Sequence, residues 1–111
     1  MPLLNISTNK EIKNEQSILA KSSDFISALL NKPENFVMVK LNDSLNMYFS
    51  GTNEPCCFIE IKSIGSIDPM KMSKQICEFF SNELKIPSER IYIYFDDVDA
   101  RHWAWNNRTF G

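Results

Sequence analysis

Residues 30–39 read LNKPENFVMV, and residues 84–93 read LKIPSERIYI. In both stretches a leucine is followed after three positions by a proline, and an apolar run begins three positions after the proline in the first stretch and four positions after it in the second. Proline cannot continue a helix, and the runs that follow have strand composition. Each stretch therefore predicts that a helix ends and a strand begins, and Leu30 and Leu84 are 54 positions apart.

The same 54-residue shift aligns positions outside these stretches. It places Phe25 over Phe79, Ser27 over Ser81, Asp43 over Asp97, and the segment Pro2–Ile6 over Cys56–Glu60. Few residues are identical, but the kinds of element agree. The chain of 111 residues thus reads as one domain, residues 1–111, that contains an internal repeat of about 1–54 and 55–111.

Each half is predicted to form a strand, a helix and a strand. In the first half these are Pro2–Ile6, a helix over about Glu15–Asn31, and Phe36–Leu41, followed by a shorter strand at Asn46–Ser50. In the second half they are Phe58–Ile64, a helix from the N-cap Asp68-Pro69 to about Leu84, and Ile91–Phe95, with a short edge strand at Trp103–Asn106.

Two such βαβ units predict an α/β fold: a two-layer βαβ repeat with pseudo-twofold symmetry, whose four-stranded mixed sheet carries two helices on one face. The other face of the sheet would be uncovered. Met38, Met47, Tyr92 and Tyr94 are poor choices for contact with water. We therefore expect this face to be buried by oligomerisation.

The composition excludes several classes of function. The formal net charge is −2 and the pI is about 5.3, which argues against a nucleic-acid or anionic-membrane surface. Three cysteines, two of them adjacent, fit neither a disulfide framework nor a zinc site, and they favour a reducing compartment. No signal peptide or membrane span is recognisable, so we expect a cytoplasmic protein with no metal and no cofactor.

Several side chains have a chemical and a structural interpretation. Asp96, Asp97 and Asp99 precede the single histidine, His102, and could form an acid/base or metal cluster, but a solvated turn with a surface histidine is favoured. The aromatic residues Trp103, Trp105 and Phe110 could pack in the core or in an interface, or they could form the wall of a pocket.

Pro2 allows a less common chemistry. Removal of the initiator methionine before proline leaves a secondary amine at the terminus. A terminal amine has a pKa near 8, and burial or a nearby cation lowers it. In an apolar pocket at the start of a core strand, Pro2 would be a base that is unprotonated at neutral pH.

Six motifs occur in the same order as in a known family. They are Met1-Pro2, Lys32-Pro33, Glu54-Pro55-Cys56, Ser63-Ile64-Gly65, Arg90-Ile91-Tyr92-Ile93 and Trp105-Asn106-Asn107-Arg108-Thr109-Phe110. Together they make the whole chain resemble the macrophage migration inhibitory factor family of the tautomerase superfamily. The resemblance implies a homotrimer in which the sheets of three βαβ-repeat subunits form a trimeric barrel around a central channel.

The resemblance also implies an activity, keto–enol tautomerisation of aromatic α-keto acids such as phenylpyruvate or of dopachrome-type compounds. The chain would thus be an isomerase, an intramolecular oxidoreductase, that needs no cofactor. The alternative is a cytokine-like protein-interaction factor with a vestigial pocket and a protein partner. A non-classical secretion route is compatible with either.

The family's site residues can be carried over by position. Pro2 would be the catalytic base, while Lys32 and the backbone N–H of Ile64 would hold the substrate carboxylate. The aromatic slot would be lined by Phe36, Trp103, Trp105 and Phe110, with Tyr92 and Tyr94 contributed by the neighbouring subunit.

The chain departs from the animal cytokine at several of these positions. Phe36, Tyr94 and Trp103 replace tyrosine, asparagine and valine, so we expect a bulkier, more aromatic pocket mouth. The animal protein's thiol-redox motif is broken at Ile59, which predicts no thiol-oxidoreductase activity.

Overall fold

The computed structural model describes residues 1–111, which form two helices, one four-stranded sheet and a small hairpin. In chain order the elements are β1 Leu3–Thr8, α1 Glu15–Leu30, β2 Met38–Asn42, β3 Cys57–Ser63, α2 Pro69–Leu84, β4 Ile91–Asp97, β5 Ala104–Trp105 and β6 Arg108–Thr109. Neither helix is long and apolar enough to cross a membrane.

The main sheet is mixed and has the strand order β2-β1-β3-β4. Strands β1 and β2 are parallel, as are β3 and β4, while β1 and β3 are antiparallel. Helices α1 and α2 lie side by side, as the contact between them shows: the ring of Phe25 in α1 stacks on the ring of Phe79 in α2. The predicted mixed sheet with two helices on one face is confirmed.

The two halves repeat each other closely. Helices α1 and α2 begin and end 54 positions apart, and short 3₁₀ turns occupy 34–36 and 88–90. The Ser27 hydroxyl donates to the carbonyl oxygen of Lys32, and the Ser81 hydroxyl donates to that of Ile86, both at 2.6 Å. The predicted pseudo-twofold repeat therefore extends to individual hydrogen bonds at the ends of the helices.

The core lies between the sheet and the helices. Alternate residues of β1 and β3 are buried, and Leu4, Ile6, Ile59 and Ile61 have no exposed surface. Because successive side chains of a strand point to opposite faces, this alternation covers one face of the sheet and leaves the other uncovered.

The open face of the sheet is the face turned away from the helices. The strand register sets its side chains in three rows: Met38, Leu3, Lys62 and Asp96 in the first, Lys40, Asn5, Glu60 and Tyr94 in the second, and Asn42, Ser7, Phe58 and Tyr92 in the third. Met38 and Tyr92 are both 62% exposed, and Tyr94 is 50% exposed. The expected uncovered apolar groups are present within one chain.

The structure corrects two of the expected strands in the first half. Phe36 lies in a 3₁₀ turn rather than at the start of β2, which begins at Met38. Asn46–Ser50 forms no strand, and Met47 lies outside the sheet. The only pairing there is a single bridge between Phe49 and Thr52, because Ser50 and Gly51 have positive φ and turn the chain back at once.

Two details of the second half also differ from expectation. Trp103–Asn106 does not extend the main sheet, since β5 pairs with β6 in a separate hairpin. Asn106 and Asn107 both have positive φ, as a two-residue hairpin turn requires. Asp68 stands at the N-cap position of α2, but its side chain makes no capping hydrogen bond.

Candidate functional site

A cavity of about 500 Å³ lies at the start of β1, beside the terminus of the chain. Its lining is mostly apolar and includes Pro2 and four of the aromatic residues singled out in the sequence, Phe36, Trp103, Trp105 and Phe110. In one chain, Trp103, Trp105 and Phe110 line a cavity and do not belong to the buried core.

The aromatic wall is built by the β5–β6 hairpin and the 3₁₀ turn before β2. The ring of Phe36 meets that of Trp105 edge to face at 5.6 Å between centroids, and the Trp105 ring lies parallel to that of Phe110 at 6.4 Å. The backbone N–H of Phe110 donates to the carbonyl oxygen of Trp103. The tight Asn106-Asn107 turn thus brings residues on both sides of it to one wall.

Pro2 is buried at the head of β1, and its carbonyl oxygen accepts a hydrogen bond from the Met38 N–H at 3.0 Å. The parallel pairing of β1 with β2 therefore fixes its position. The adjacent terminal amine belongs to Met1. Burial and the nearby charge of Lys32 hold the pKa of this amine below its usual value of 8.0.

Lys32 is half-buried and held at both ends. Its backbone N–H donates to the Ser27 carbonyl oxygen and its own carbonyl accepts from the Ser27 hydroxyl, while its ammonium donates to the Ile64 carbonyl oxygen at 3.0 Å. Lys32 is not among the residues that line the cavity. Its charge contributes to the lowered pKa of the terminal amine.

Ile64 stands in the turn that follows β3. Gly65, with a φ of 74°, donates its N–H to the Asp97 carboxylate at 2.9 Å, and Val98 N–H donates to the Ser63 carbonyl oxygen. These bonds fix the turn, whereas the N–H of Ile64 has no acceptor in the chain. A free donor next to a lysine is a suitable place for an anion.

The two tyrosines lie elsewhere. Tyr94 and Tyr92 project from the second and third rows of the open face, and neither lines the cavity of its own chain. The Tyr92 ring meets that of Phe49 edge to face at 4.7 Å. Within one chain, Pro2 and the four aromatic residues therefore line the cavity, and Lys32, which is bonded to Ile64, lies near the terminal amine. Both tyrosines lie outside the cavity.

The macrophage migration inhibitory factor model matches residues 1–111. The macrophage migration inhibitory factor homolog of Brugia malayi is 35% identical to the chain, with 100% of both chains covered. The crystal structure of the homologue from Prochlorococcus marinus superposes with a TM-score of 0.92 at 42% identity, covering 98% of this chain and 99% of that one. The structure of the Trichinella spiralis factor gives a TM-score of 0.90 at 29% identity, with 97% and 99% covered.

The chain belongs to the macrophage migration inhibitory factor family. The resemblance seen in its motifs is confirmed, and so is the βαβ-repeat fold that the resemblance implies.

In this member of the family the cavity also contains residues that the sequence did not single out as site residues. Among them are Met38, Lys62, Val98 and the half-buried Asp96, together with His102, which is exposed as expected. The register of β3 with β1 places Lys62 beside Leu3 on the open face, which the alternation of β3 in the sequence does not show by itself.

The acidic residues near the C-terminus do not form a cluster, because they bind different partners. Asp97 accepts the Gly65 N–H, and Asp99 accepts both the backbone N–H and the guanidinium of Arg101. This arrangement lowers the pKa of Asp99 to about 2. No group of three or more His, Cys, Asp or Glu side chains is arranged to hold a metal ion.

The three thiols of this family member are free, and two of them are buried. Burial is the main reason why the pKa of Cys57 is raised to about 12, with smaller contributions from Cys56 and Cys77. A thiol of that kind is a poor nucleophile at neutral pH, because the thiolate is the reactive form.

Proposed function

We propose that the chain is a keto–enol tautomerase of aromatic α-keto acids, with Pro2 as the general base. The observation that carries the proposal is the position of Pro2, which is buried at the head of β1 and faces an aromatic cavity. Membership of the macrophage migration inhibitory factor family supports it.

The reaction is a proton shift between carbon and oxygen. An unprotonated Pro2 amine takes the proton from the carbon next to the carbonyl, and the electron pair of the C–H bond forms the new C=C bond while the C=O electron pair moves onto oxygen. The protonated amine then passes the proton to that oxygen to give the enol. In the reverse direction the protonated amine returns the proton to carbon. One well-placed base is sufficient for this shift, without a cofactor.

The amine must be neutral to act as the base. As residue 2 of the chain, Pro2 has an amide nitrogen, so its basicity depends on removal of Met1. The terminal amine of Met1 already has a lowered pKa at this place. Pro2 is more buried than Met1, and the same two causes, burial and the charge of Lys32, would act on its amine.

The carboxylate of the substrate would lie against Lys32 and the unpaired N–H of Ile64. Its ring would pack in the cavity against the outer surfaces of Phe36 and Trp105, which are already in edge-to-face contact with each other. We propose that Tyr92 and Tyr94 complete the site of a neighbouring subunit in a homotrimer, because both are exposed on the open face of one chain.

The test is enol turnover followed by absorbance in three proteins. The wild-type chain, with Met1 removed and checked by intact mass, should convert phenylpyruvate enol. The Pro2→Gly variant should lose about a hundredfold in kcat/KM, because its terminal glycine keeps an amine but loses the fixed position that the proline ring gives to the base. One extra residue between Met1 and Pro2 should abolish activity, because it keeps the nitrogen of Pro2 in an amide.

The matched control is Met70→Ala, which alters a side chain that is 96% exposed on α2 and should leave turnover unchanged. Full activity of either terminal variant would reject Pro2 as the base. Negligible turnover by the wild-type chain, together with saturable binding of a protein, would instead favour the cytokine-like alternative.

A further inference from the structure

The cavity beside Pro2 contains a lysine without a counter-ion. Lys62 is half-buried and lines the cavity, yet it takes part in none of the ion pairs of the chain. By contrast, the ammonium of Lys32 is already bonded to the Ile64 carbonyl oxygen, and Lys32 does not line the cavity. The lysine that faces the cavity is therefore Lys62.

The strand register explains why Lys62 reaches this place. It pairs with Leu3, the residue that follows Pro2, on the face away from the helices. All four residues of the first row, Met38, Leu3, Lys62 and Asp96, line the cavity. Adjacent strands are about 4.8 Å apart, so the row forms a floor about 15 Å wide.

This floor has an apolar half and a charged half. Met38 and Leu3 lie on the side of Phe36 and its aromatic partners, and Lys62 and Asp96 lie on the side of β4. An aromatic acid matches this division, because its ring can pack over the apolar half while its carboxylate lies over the charged half.

We propose that Lys62 is a second anion-binding residue of the cavity and holds the carboxylate of the aromatic acid substrate. The inference deepens the proposed tautomerase function and rests on it. Lys62 approaches from the open face of the sheet, whereas Lys32 follows α1 on the helix side. A carboxylate over the charged half of the floor can accept a charge-assisted hydrogen bond from the Lys62 ammonium.

Asp96 should act in the opposite direction. It neighbours Lys62 across the β3–β4 pairing and faces the same cavity, and it makes no ion pair in the chain. Its negative charge repels a carboxylate held by Lys62. Substitution of Lys62 should therefore weaken carboxylate binding, and substitution of Asp96 should strengthen it. Damage to the fold would weaken binding in both variants.

The experiment measures binding without catalysis. The probes are 3-phenylpropanoate and its uncharged analogue 3-phenylpropanamide, titrated while the fluorescence of Trp103 and Trp105 is followed. Wild type should bind the carboxylate more tightly than the amide. Lys62→Met should weaken carboxylate binding about tenfold and leave amide binding unchanged, while Lys62→Arg should keep the preference.

Two further variants complete the set. Asp96→Asn should tighten carboxylate binding severalfold. Lys40→Met is the matched control: Lys40 is on the same face of the sheet, in the second row, and does not line the cavity, so its removal should change neither affinity. Circular dichroism of each variant verifies the fold.

The outcomes separate this inference from the proposed function. Equal carboxylate affinity in wild type and Lys62→Met, or no saturable quenching of the wild type, overturns the role of Lys62 whatever the turnover assay shows. Full turnover by Pro2→Gly overturns the base and leaves the binding result standing. If Pro2 is the base and Lys62 binds the carboxylate, Lys62→Met should raise KM and leave kcat little changed, because the lost interaction stabilises the ground state and the transition state equally.

Discussion

The aromatic rings of Phe25 and Phe79 stack on each other with their centroids 4.0 Å apart and their planes within 7°. The two residues are 54 positions apart, so each is the counterpart of the other in the repeat. A residue that contacts its own counterpart must lie on the pseudo-twofold axis. The stack therefore marks the axis on the helix side of the sheet and joins the two halves of the chain.

Truncation of this stack should destabilise the whole chain. We expect Phe25→Ala and Phe79→Ala each to lower the free energy of unfolding by about 1–3 kcal/mol, since both rings are only half-buried. The double variant should lose less than the two single losses together, by about 1 kcal/mol, because the ring–ring contact is counted in both. Urea unfolding measures all four proteins, and strictly additive losses would contradict the coupling.

The pH dependence of turnover should report the charge of Lys32. Activity requires the neutral amine, so kcat/KM should fall as the pH drops through the pKa of Pro2. Lys32 is one of the two causes that lower the pKa of the terminal amine. In the Lys32→Met variant, the pH at which kcat/KM falls on the acidic side of the pH–rate profile should therefore be higher. In the Lys40→Met variant it should be unchanged. An unchanged pH–rate profile in the Lys32→Met variant would show that burial alone lowers the pKa of the Pro2 amine.

Arg90 should be important for the loop between β2 and β3. Its buried guanidinium donates to the carbonyl oxygens of Pro55, Phe49 and Glu54 at 2.8, 3.1 and 2.9 Å. Arg90→Met leaves these carbonyls without a donor, and we expect a loss of about 3 kcal/mol in the free energy of unfolding. Arg108→Met, on the exposed hairpin, should cost less than about 0.5 kcal/mol. Equal losses in the two variants would contradict the role of Arg90.

The cysteines should differ sharply in reactivity. In native protein at pH 8, iodoacetamide should modify Cys77, which is half-buried, and spare Cys56 and Cys57, which are 1% and 2% exposed. For Cys57 the pKa of about 12 also keeps the thiolate fraction small. In urea all three should react, as intact mass will show. Rapid native alkylation of Cys57 would contradict this account, and insulin reduction by the protein would contradict the prediction made from Ile59.

The sequence is sufficient for most of the fold because its signals are local. Pro33 and Pro87 each follow the end of a helix, and the apolar spacing before them has the helical period. The strand expected at Asn46–Ser50 failed because pairing needs a partner strand, which a local pattern cannot show. The Asn106-Asn107 dipeptide is a local signal for a hairpin and was available in the sequence.

The site is less accessible from the sequence, because tertiary packing decides which side chains share a cavity. Pro2 could be named from its chemistry and from the resemblance, and the structure places it in an apolar cavity. Lys62 could not, since its alternation with Glu60 is the pattern of an ordinary solvent-facing strand. Only the register with β1 and the position of the β5–β6 hairpin turn that lysine into a lining residue.

The repeat also gives the fold a second, closed corner. The counterparts of Pro2 and Lys32 are Cys56 and Ile86, each 1% exposed, and the ammonium of Lys10 binds the carbonyl of the last residue of α2. The backbone thus provides two equivalent corners, and the side chains open only one. For protein engineering, the filled corner is a ready scaffold: smaller side chains there, with a circular permutation that starts the chain at residue 56, would move the terminal amine from the first corner to the second and keep the same sheet and helices.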